Sequence, residues 1–362
     1  MKPITAVAIS GGVDSMMAAY LLKEQGHHVI GIHFITGFET DFVDPQNSDK
    51  YAQHPVLDIG RQLDISVQLK DIRSEFQETV VKYFVQAYKT GQTPNPCMTC
   101  NPAIKFGVIL SFAHQLGATR LATGHYAQIR TDDRGRHHLF KGYDSSKDQS
   151  YFLARLTQNQ LAEACFPLGA MKKTEVKQLA KHNGYEPVTA GESQDVCFVS
   201  QDTYSEFLSK QKGFESKPGP IEDVTGNVIG EHNGLHLFTI GQRRGINCPA
   251  FEPFYVIRLD TERNRLIVGS KRDLLSSECK VIDINWIHEE PKNPTLVHTR
   301  VRYRSKEVPS MVYPQKKQTA IVRFKSPQAA VTPGQGAVFY RGEEILGGGW
   351  IEESIGHEDW EK

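Results

Sequence analysis

Apolar and polar positions along the first half of the chain alternate between two periods. Residues 5–9 form a short apolar run that reads as a strand, and 15–25 repeat at helical spacing, with Met17, Tyr20, Leu21 and Leu22 on one side and Gly26 as a stop. The same reading predicts a strand over 29–34, a helix over 56–63, a strand over 65–69 and a helix over 74–88. A proline-punctuated loop follows over 93–101, then a helix over 106–116 ended by Gly117, and a strand over 120–123. Strands alternating with helices at this spacing predict right-handed βαβ units and a doubly wound parallel sheet, an α/β fold.

The rhythm changes after about Ser200. Gly and Pro become frequent, as in Lys217-Pro218-Gly219-Pro220, and short alternating runs over 256–259, 266–268 and 319–324 predict an all-β region. A break at 276–280 divides it. The expected organisation is an α/β domain over 1–200, a small β-rich module over 201–276 and a C-terminal β-barrel over 277–362, with a frayed tail from Glu352.

Composition narrows the class without naming it. At 362 residues the chain is long enough for two or three cores. Lys plus Arg and Asp plus Glu are both 42, so any nucleic-acid site must be a local basic patch. The start, MKPITAVAIS, lacks the long apolar stretch of a signal peptide, and no apolar run approaches the roughly 18–20 residues that span a bilayer. Six cysteines in a chain of this length (Cys97, Cys100, Cys165, Cys197, Cys248, Cys279) are too sparse for a secreted disulfide scaffold. The expectation is a cytoplasmic protein with free thiols and no membrane partner.

Ser10-Gly11-Gly12-Val13-Asp14-Ser15 lies between the first strand and the first helix. A parallel sheet presents ligands at the carboxyl ends of its strands. Two glycines let the backbone approach an anion, and a helix N-terminus adds N–H groups and positive dipole character. Asp14 suits either a magnesium ion or a helix cap. The pattern lacks the Walker lysine and GxGxxG; a tight turn with a Ser/Asp cap would explain a generic Gly-Gly pair, but this pattern is denser than a cap needs. The SGGVDS string resembles the PP-loop of ATP pyrophosphatases, which implies ATP cleaved to AMP and pyrophosphate.

Cys97 and Cys100 stand in Thr93-Pro94-Asn95-Pro96-Cys97-Met98-Thr99-Cys100-Asn101. A lone CxxC suits a redox pair, half a metal site, or one nucleophile with a neighbour. Cys197 follows about a hundred residues later, with Glu192 and Asp195 close by. Packing as small apolar residues suits Cys165, Cys248 and Cys279 better than these three.

Together these segments make a more specific resemblance. SGGVDS at 10–15, TPNPCMTCNPAIKF at 93–106, ATGHYA at 122–127, KDQSYFL at 147–153, SQDVCF at 193–198, FTIGQRRG at 238–245 and RYR at 302–304 follow in the order found in bacterial tRNA-specific 2-thiouridylases, the MnmA/TrmU family of PP-loop proteins. The resemblance implies ATP-dependent 2-thiolation of the wobble uridine of tRNA. It implies Cys100 as nucleophile and Cys197 as the persulfide carrier. It implies ATP at Ala8, Ile9, Ser10, Gly11, Gly12, Val13, Asp14, Ser15, Phe34 and Gly124, with Mg2+. It implies tRNA at Asn95, Pro96, Cys97, His125, Lys147, Asp148, Gln149, Tyr303, Arg304 and Gln335. The implied partners are tRNA and a persulfide donor, either a cysteine desulfurase or a sulfur-relay protein. Two positions depart from the pattern: some members have Asp where this chain has Cys97, and many have a Met-Lys-aromatic stretch where it has Phe34-Ile35-Thr36-Gly37-Phe38.

Arg243, Arg244, Arg302, Tyr303, Arg304 and Lys306 suit tRNA, the arginines for phosphates and the ring for stacking a base; a solvated barrel face would look the same. Lys105 is the candidate cation for lowering a thiol pKa. Three rivals stand beside the sulfur-transfer reading. An iron–sulfur cluster on Cys97, Cys100 and Cys197 would change the sulfur carrier but not the substrate. A non-catalytic RNA-binding protein would keep a vestigial nucleotide fold, and a PP-loop amide ligase would not need the paired cysteines.

Overall fold

The computed structural model describes residues 4–39, 53–189, 196–199, 203–211, 214–249 and 251–356. Glu192 and Asp195, the Ser193-Gln194-Asp195 part of the SQDVCF segment, the change of rhythm at Ser200 and the tail over 357–362 lie outside the described residues. The chain divides into two compact units. One is drawn from Met1–Val80, Cys97–Gln201 and Glu343–Ile345, the other from Val81–Pro96, Asp202–Gly342 and Leu346–Lys362.

The first unit contains β1 (Ile4–Ala8), β2 (His28–Ile35), β3 (Ser66–Asp71), β4 (Arg120–Ala122), β5 (Ala127–Thr131), β6 (His137–Lys141) and β7 (Ala164–Cys165). A five-stranded parallel sheet has the order β3-β2-β1-β4-β7, so the winding reverses between β1 and β4. In such sheets ligands bind where the winding reverses, outside the carboxyl ends of the strands. The helix Val13–Glu24 buries Met16, Met17, Ala18, Ala19 and Leu22 in a core shared with Val7, Ile9, Val29, Ile59 and Leu63. This unit is the expected α/β fold, with element ends within a few residues of the periodicity reading.

Three local features differ from that reading. The hairpin β5–β6 has no counterpart in it; Asp132 builds its turn by accepting the N–H groups of Arg134 and Arg136, and Gly135 takes φ +78°. The helix expected over 74–88 is broken into Arg73–Phe76, a wider π-helical segment Gln77–Val81, and Lys82–Lys89. The loop expected over 93–101 becomes helical at Pro96: Pro96–Cys100 continues into a π-helical segment Asn101–Ile109 and then Leu110–Gln115. Proline is tolerated in a first turn because its missing N–H would have no partner there. The Gln160 side-chain amide donates to the carbonyls of Pro102, at 2.8 Å, and Phe106, at 3.0 Å, along the widened segment. A Cβ at Gly107 would stand 3.0 Å from the Pro102 carbonyl oxygen.

The second unit holds the helices Lys82–Lys89 and Tyr204–Ser209, joined by stacking of Tyr88 on Tyr204 with centroids 5.5 Å apart. Its central module is a four-stranded sheet of β8 (Gly219–Asp223), β9 (Val228–His232), β10 (Tyr255–Asp260) and β11 (Arg265–Gly269), in the order β10-β11-β8-β9. Ile221, Phe238, Ile246, Val256, Leu266 and Val268 fill its core. The remaining strands are β12 (Leu275–Trp286), β13 (Thr295–Arg300), β14 (Val308–Gln315), β15 (Thr319–Ala329), β16 (Gly336–Arg341) and β17 (Glu344–Gly356). They follow the order β12-β15-β14-β13-β16-β17, and a further β12–β17 ladder closes them into an antiparallel barrel. Residues 276–280, expected as a break, lie inside β12. The expected fraying from Glu352 is also corrected, because β17 stays paired as far as Gly356 opposite Ser276. Among the described residues no helix is long and apolar enough to cross a membrane.

The barrel interior is closed by Val281, Val312, Val322, Phe339 and Ile351, with Trp286 stacked on Phe339 at 5.3 Å between centroids. Phe339→Ala is expected to cost the barrel roughly 3–5 kcal/mol, from lost transfer energy plus the cavity left behind. Denaturant unfolding followed by tryptophan fluorescence measures it; a loss under about 1 kcal/mol would mean that the ring does not fill the core in this way.

Candidate functional site

The glycine turn follows directly from β1. Gly11 takes φ +96°, and a Cβ there would meet Thr189 Cγ2 at 3.0 Å and Val188 Cγ2 at 3.1 Å. Its carbonyl accepts the N–H groups of Val188, at 3.0 Å, and Thr189, at 3.2 Å. Ser15 Oγ donates to the Gly12 carbonyl at 3.0 Å and accepts the Ser10 N–H at 3.1 Å, while the Ser10 and Ser15 hydroxyls lie 3.2 Å apart. No side chain caps the helix at Gly12, and first-turn amides have no intrahelical acceptor. Gly124 follows β4 and closes on this turn: a Cβ there would stand 2.8 Å from the main-chain carbon of Asp14 and 2.9 Å from the Ser15 nitrogen. Ala8 and Ile9 are buried beneath the turn, and Val13 is half-buried at the helix start.

The Asp14 carboxylate is already engaged. Lys173 Nζ donates to both of its oxygens at 2.6 Å, and the Tyr126 hydroxyl donates to Oδ1 at 2.9 Å. Lys173 is buried, at 6% exposure, so this pairing compensates a cation withdrawn from water. Nothing in the sequence singles out Lys173; a Lys-Lys pair opening a polar helix carries no mark of which one turns inward. Tyr126 lies in the ATGHYA segment, where no role attaches to it from sequence.

Cys97 and Cys100 stand on the first turns of the helix that begins at Pro96, and Cys197 stands in the turn 196–199. Phe198 anchors that turn, packing on Phe38 and Phe76 with centroids 5.8 and 5.6 Å apart. Cys97 and Cys197 each keep an exposed face although protein surrounds most of the thiol, Cys100 is half-buried, and all three are free thiols. They lie near enough to perturb one another. Desolvation pushes the Cys100 thiol up to about 12, with Lys105 opposing and Cys197 and Cys97 adding to the rise. Desolvation and then Cys97 push Cys197 up to about 11, against the pull of Lys105. Cys97 is raised by the same desolvation and lowered by Lys105. Lys105 is therefore a cation shared by all three sulfurs.

Lys105 Nζ donates to His125 Nε2 at 3.3 Å, and His125 Nδ1 lies 2.6 Å from Thr123 Oγ1. Burial, then Lys105, holds the His125 pKa well below its ordinary value, so the ring is neutral and accepts from the ammonium. The imidazole is buried against the edge of Phe166. Among the described residues no group of three or more His, Cys, Asp or Glu side chains is placed to hold a metal ion. The iron–sulfur alternative on Cys97, Cys100 and Cys197 therefore has no support in the geometry.

The other sequence-predicted positions are distributed as follows. Phe34 is half-buried on β2 opposite Lys70 of β3. Just beyond it, the Thr36 hydroxyl and the Thr36 and Gly37 N–H groups donate to the Glu39 carboxylate. Asp148 is buried, its Oδ1 accepting the N–H groups of Gly142 and Ser150, both at 3.1 Å. Gln149 Oε1 accepts the Tyr126 N–H at 3.1 Å, and Lys147 is half-buried in the same turn.

In the second unit, Asn95 and Pro96 are buried, and the Asn95 N–H donates to the Tyr83 hydroxyl at 3.3 Å. Gln335 Nε2 donates to the carbonyls of Thr93 and Pro94. Arg304, Lys306, Arg243 and Arg244 are exposed, and Tyr303 is half-buried beneath the Arg300 guanidinium, 5.2 Å from the ring centroid. Arg302 has a structural part: its guanidinium donates to the Ile240 carbonyl at 2.7 Å and to the Thr332 hydroxyl.

Family models match the chain in three consecutive stretches. Residues 4–201 match the tRNA methyl transferase HUP domain, 205–270 the tRNA methyl transferase PRC-barrel domain, and 276–351 the aminomethyltransferase beta-barrel domain. The chain is 48% identical over 350 residues to the tRNA-specific 2-thiouridylase MnmA of Desulfosudis oleivorans, covering 97% of this chain and 95% of that one. It is 42% identical to MnmA of Geobacter metallireducens, covering 96% of each chain, and 41% identical to MnmA of Nostoc punctiforme, covering 98% and 99%. Likeness of this degree over nearly the whole of both chains, with the glycine turn and the cysteine cluster in place, means that the chain belongs to the tRNA-specific 2-thiouridylase MnmA family.

Proposed function

We propose that this chain is a tRNA-uridine 2-sulfurtransferase that adenylates the C2 carbonyl oxygen of the wobble uridine and replaces it with sulfur from a cysteine persulfide. The observation that carries this reading is the cluster of three thiols that share Lys105, with Cys97 and Cys197 acting on Cys100, in the same unit as the glycine turn. It favours sulfur over the methyl group named by the family-model descriptions, and it gives a non-catalytic RNA binder no reason to keep the thiols.

The uridine C2 carbonyl is a poor electrophile. Attack of its oxygen on the α-phosphorus of ATP expels pyrophosphate and makes AMP the leaving group. The glycine turn suits the phosphates, through the first-turn amides after Gly12 and the closely packed Gly11 and Gly124. Magnesium accompanies those phosphates as part of the substrate. The terminal sulfur of a Cys197 persulfide then attacks C2 and AMP leaves. Cys100 attacks Cys197 Sγ, the sulfur–sulfur electron pair passes to the sulfur now on C2, and a Cys100–Cys197 disulfide forms. Alternatively, Cys100 attacks the persulfide first and releases sulfide, which attacks C2. Either route ends in the disulfide, so an external thiol must reduce it. A cysteine desulfurase or a sulfur-relay protein supplies the persulfide, and the cytoplasm is the compartment that keeps such thiols reduced.

The exposed arginines of the second unit suit the tRNA phosphates. Because the chain is neutral overall, binding is local. The Asn95-Pro96-Cys97 element suits the target base and Gln335 a tRNA contact; His125 and Gln149 hold Lys105 and the Tyr126 main chain in place, and with Lys147 and Asp148 they are the further tRNA contacts that the resemblance implies.

The sulfur-transfer step predicts that Cys100→Ser and Cys197→Ser form no 2-thiouridine, by mass spectrometry of digested tRNA, yet retain nucleotide binding. The wild-type protein should release AMP and pyrophosphate with tRNA present. Full thiolation by Cys197→Ser with a physiological donor would remove the persulfide role.

For the RNA step, Arg304→Ala should weaken tRNA binding and flatten the dependence of log Kd on log salt by about one unit. An unchanged slope would show that this arginine only faces solvent.

The thiol electrostatics predict a pH effect. Lys105 lowers the pKa of each thiol, so Lys105→Ala should raise them and shift the alkylation profile of Cys100 to higher pH. Residue-resolved alkylation at neutral pH should then be several-fold slower than in the wild type. An unshifted profile would mean that the lysine charge does not reach the sulfur.

A further inference from the structure

The Pro333-Gly334-Gln335 turn of the barrel grips the chain just before the cysteine helix. The Thr93 N–H donates to the Pro333 carbonyl at 2.9 Å, and Gln335 Nε2 donates to the carbonyls of Thr93, at 3.0 Å, and Pro94, at 3.1 Å. An amide nitrogen has two N–H donors, and here both are directed to main-chain oxygens. Gly334 takes φ +86°, and a Cβ there would stand 2.8 Å from the Thr93 oxygen and 2.9 Å from Gln92 Cβ. The approach is thus as close as a backbone allows.

The turn is itself rigid. The Gly334 N–H donates to the Ile351 carbonyl, and the Ile351 N–H donates to the Gln335 carbonyl, both at 2.9 Å. Ile351 and Thr332 are each 1% exposed. On the gripped side, the Asn95 N–H is held by the Tyr83 hydroxyl, and the Tyr83 ring packs on Trp350 of β17 with centroids 5.6 Å apart.

We propose that Gln335 is a positioning residue for Cys97 and Cys100: by holding the Thr93 and Pro94 carbonyls to the barrel it sets where the cysteine helix begins. The chain from Thr93 to Cys97 has little slack to absorb a displacement. Pro94 and Pro96 each have φ locked near −65°, and Pro94, Asn95 and Pro96 are all buried. Pro96 is the first residue of the helix that carries both thiols. This goes beyond an RNA contact at Gln335, since it requires an effect on the thiols with no RNA present. It rests on the proposed sulfur chemistry only in giving those thiols a purpose.

The test is residue-resolved alkylation of the RNA-free full-length protein by iodoacetamide, read by mass spectrometry, alongside single-turnover thiolation. Two variants act on the grip independently. Gln335→Glu keeps the shape but loses the N–H donors, and Gly334→Ala keeps the amide but pushes against Thr93. Both should raise the alkylation rates of Cys97 and Cys100 by about threefold or more, as the helix start loosens and Cys100 gains water. Both should lower the single-turnover rate at saturating tRNA. Cys279, buried in the barrel core, should stay protected, which separates loosening from unfolding. If Gly334→Ala fails to fold, Gln335→Glu carries the test alone. Wild-type alkylation rates in Gln335→Glu, with only tRNA affinity reduced, would overturn the proposal and leave Gln335 as an RNA contact. Thiolation by Cys100→Ser would instead overturn the sulfur chemistry and leave the alkylation result standing.

Discussion

Gly124 against Asp14 is the contact on which the first unit's site depends. The sheet reverses its winding between β1 and β4, so the segments leaving these two strands must pass each other at the ligand-binding end. With a Cβ position only 2.8 Å from the Asp14 main chain, they pass at backbone distance and no side chain fits between them. That approach carries the next two residues into place. His125 turns in to meet Lys105, and Tyr126 reaches the Asp14 carboxylate. A larger residue at this position would separate the nucleotide turn from the residue that holds the lysine of the thiol cluster.

Two lysines then divide the electrostatics. Lys173 is buried and neutralised by Asp14, so it adds little field beyond its partner until something competes for one of them. Among the described residues Lys105 donates instead to a neutral acceptor, which does not cancel its charge near the sulfurs. An ion pair at Lys105 would fix the side chain equally well but would screen the thiols from it.

The architecture was legible where one period ran long enough to count. The parallel sheet followed from apolar runs separated by helical spacing, and the β-rich second half from Gly and Pro punctuation. The hairpin β5–β6 was not, because its strands are short and polar-faced, and the pattern of β6 is set by pairing with Glu344 and Ile345 from the far end of the chain. The π-helical segment after Cys100 was missed for a related reason. Asn101-Pro102 reads as a helix breaker locally, and the Gln160 amide that ties its carbonyls comes from distant sequence. In the site, the glycine turn and the three cysteines stood out as motifs, because each combines unusual residue types at fixed spacing. Lys173, Arg302 and the grip of Gln335 did not, because their meaning lies in which partner they reach across more than two dozen intervening residues.

In the proposed reaction the thiols work beside RNA, and the same geometry constrains how. Desolvation pushes the half-buried Cys100 thiol up to about 12 and raises Cys197 as well, so thiolate is disfavoured at neutral pH. An approaching polyanion disfavours a second negative charge and makes it scarcer still. The cation at Lys105 must therefore stay beside the sulfurs when phosphates compete for it. A protonated imidazole at His125 would repel it. The buried, neutral ring accepts its hydrogen bond instead, and because burial holds the His125 pKa well below the ordinary value, this anchor persists through mild acidification. Thr123, 2.6 Å from Nδ1, suits the tautomer that leaves Nε2 as the acceptor. The buried histidine thus acts on the thiols without touching them: its neutrality is what allows the lysine to stay oriented and close.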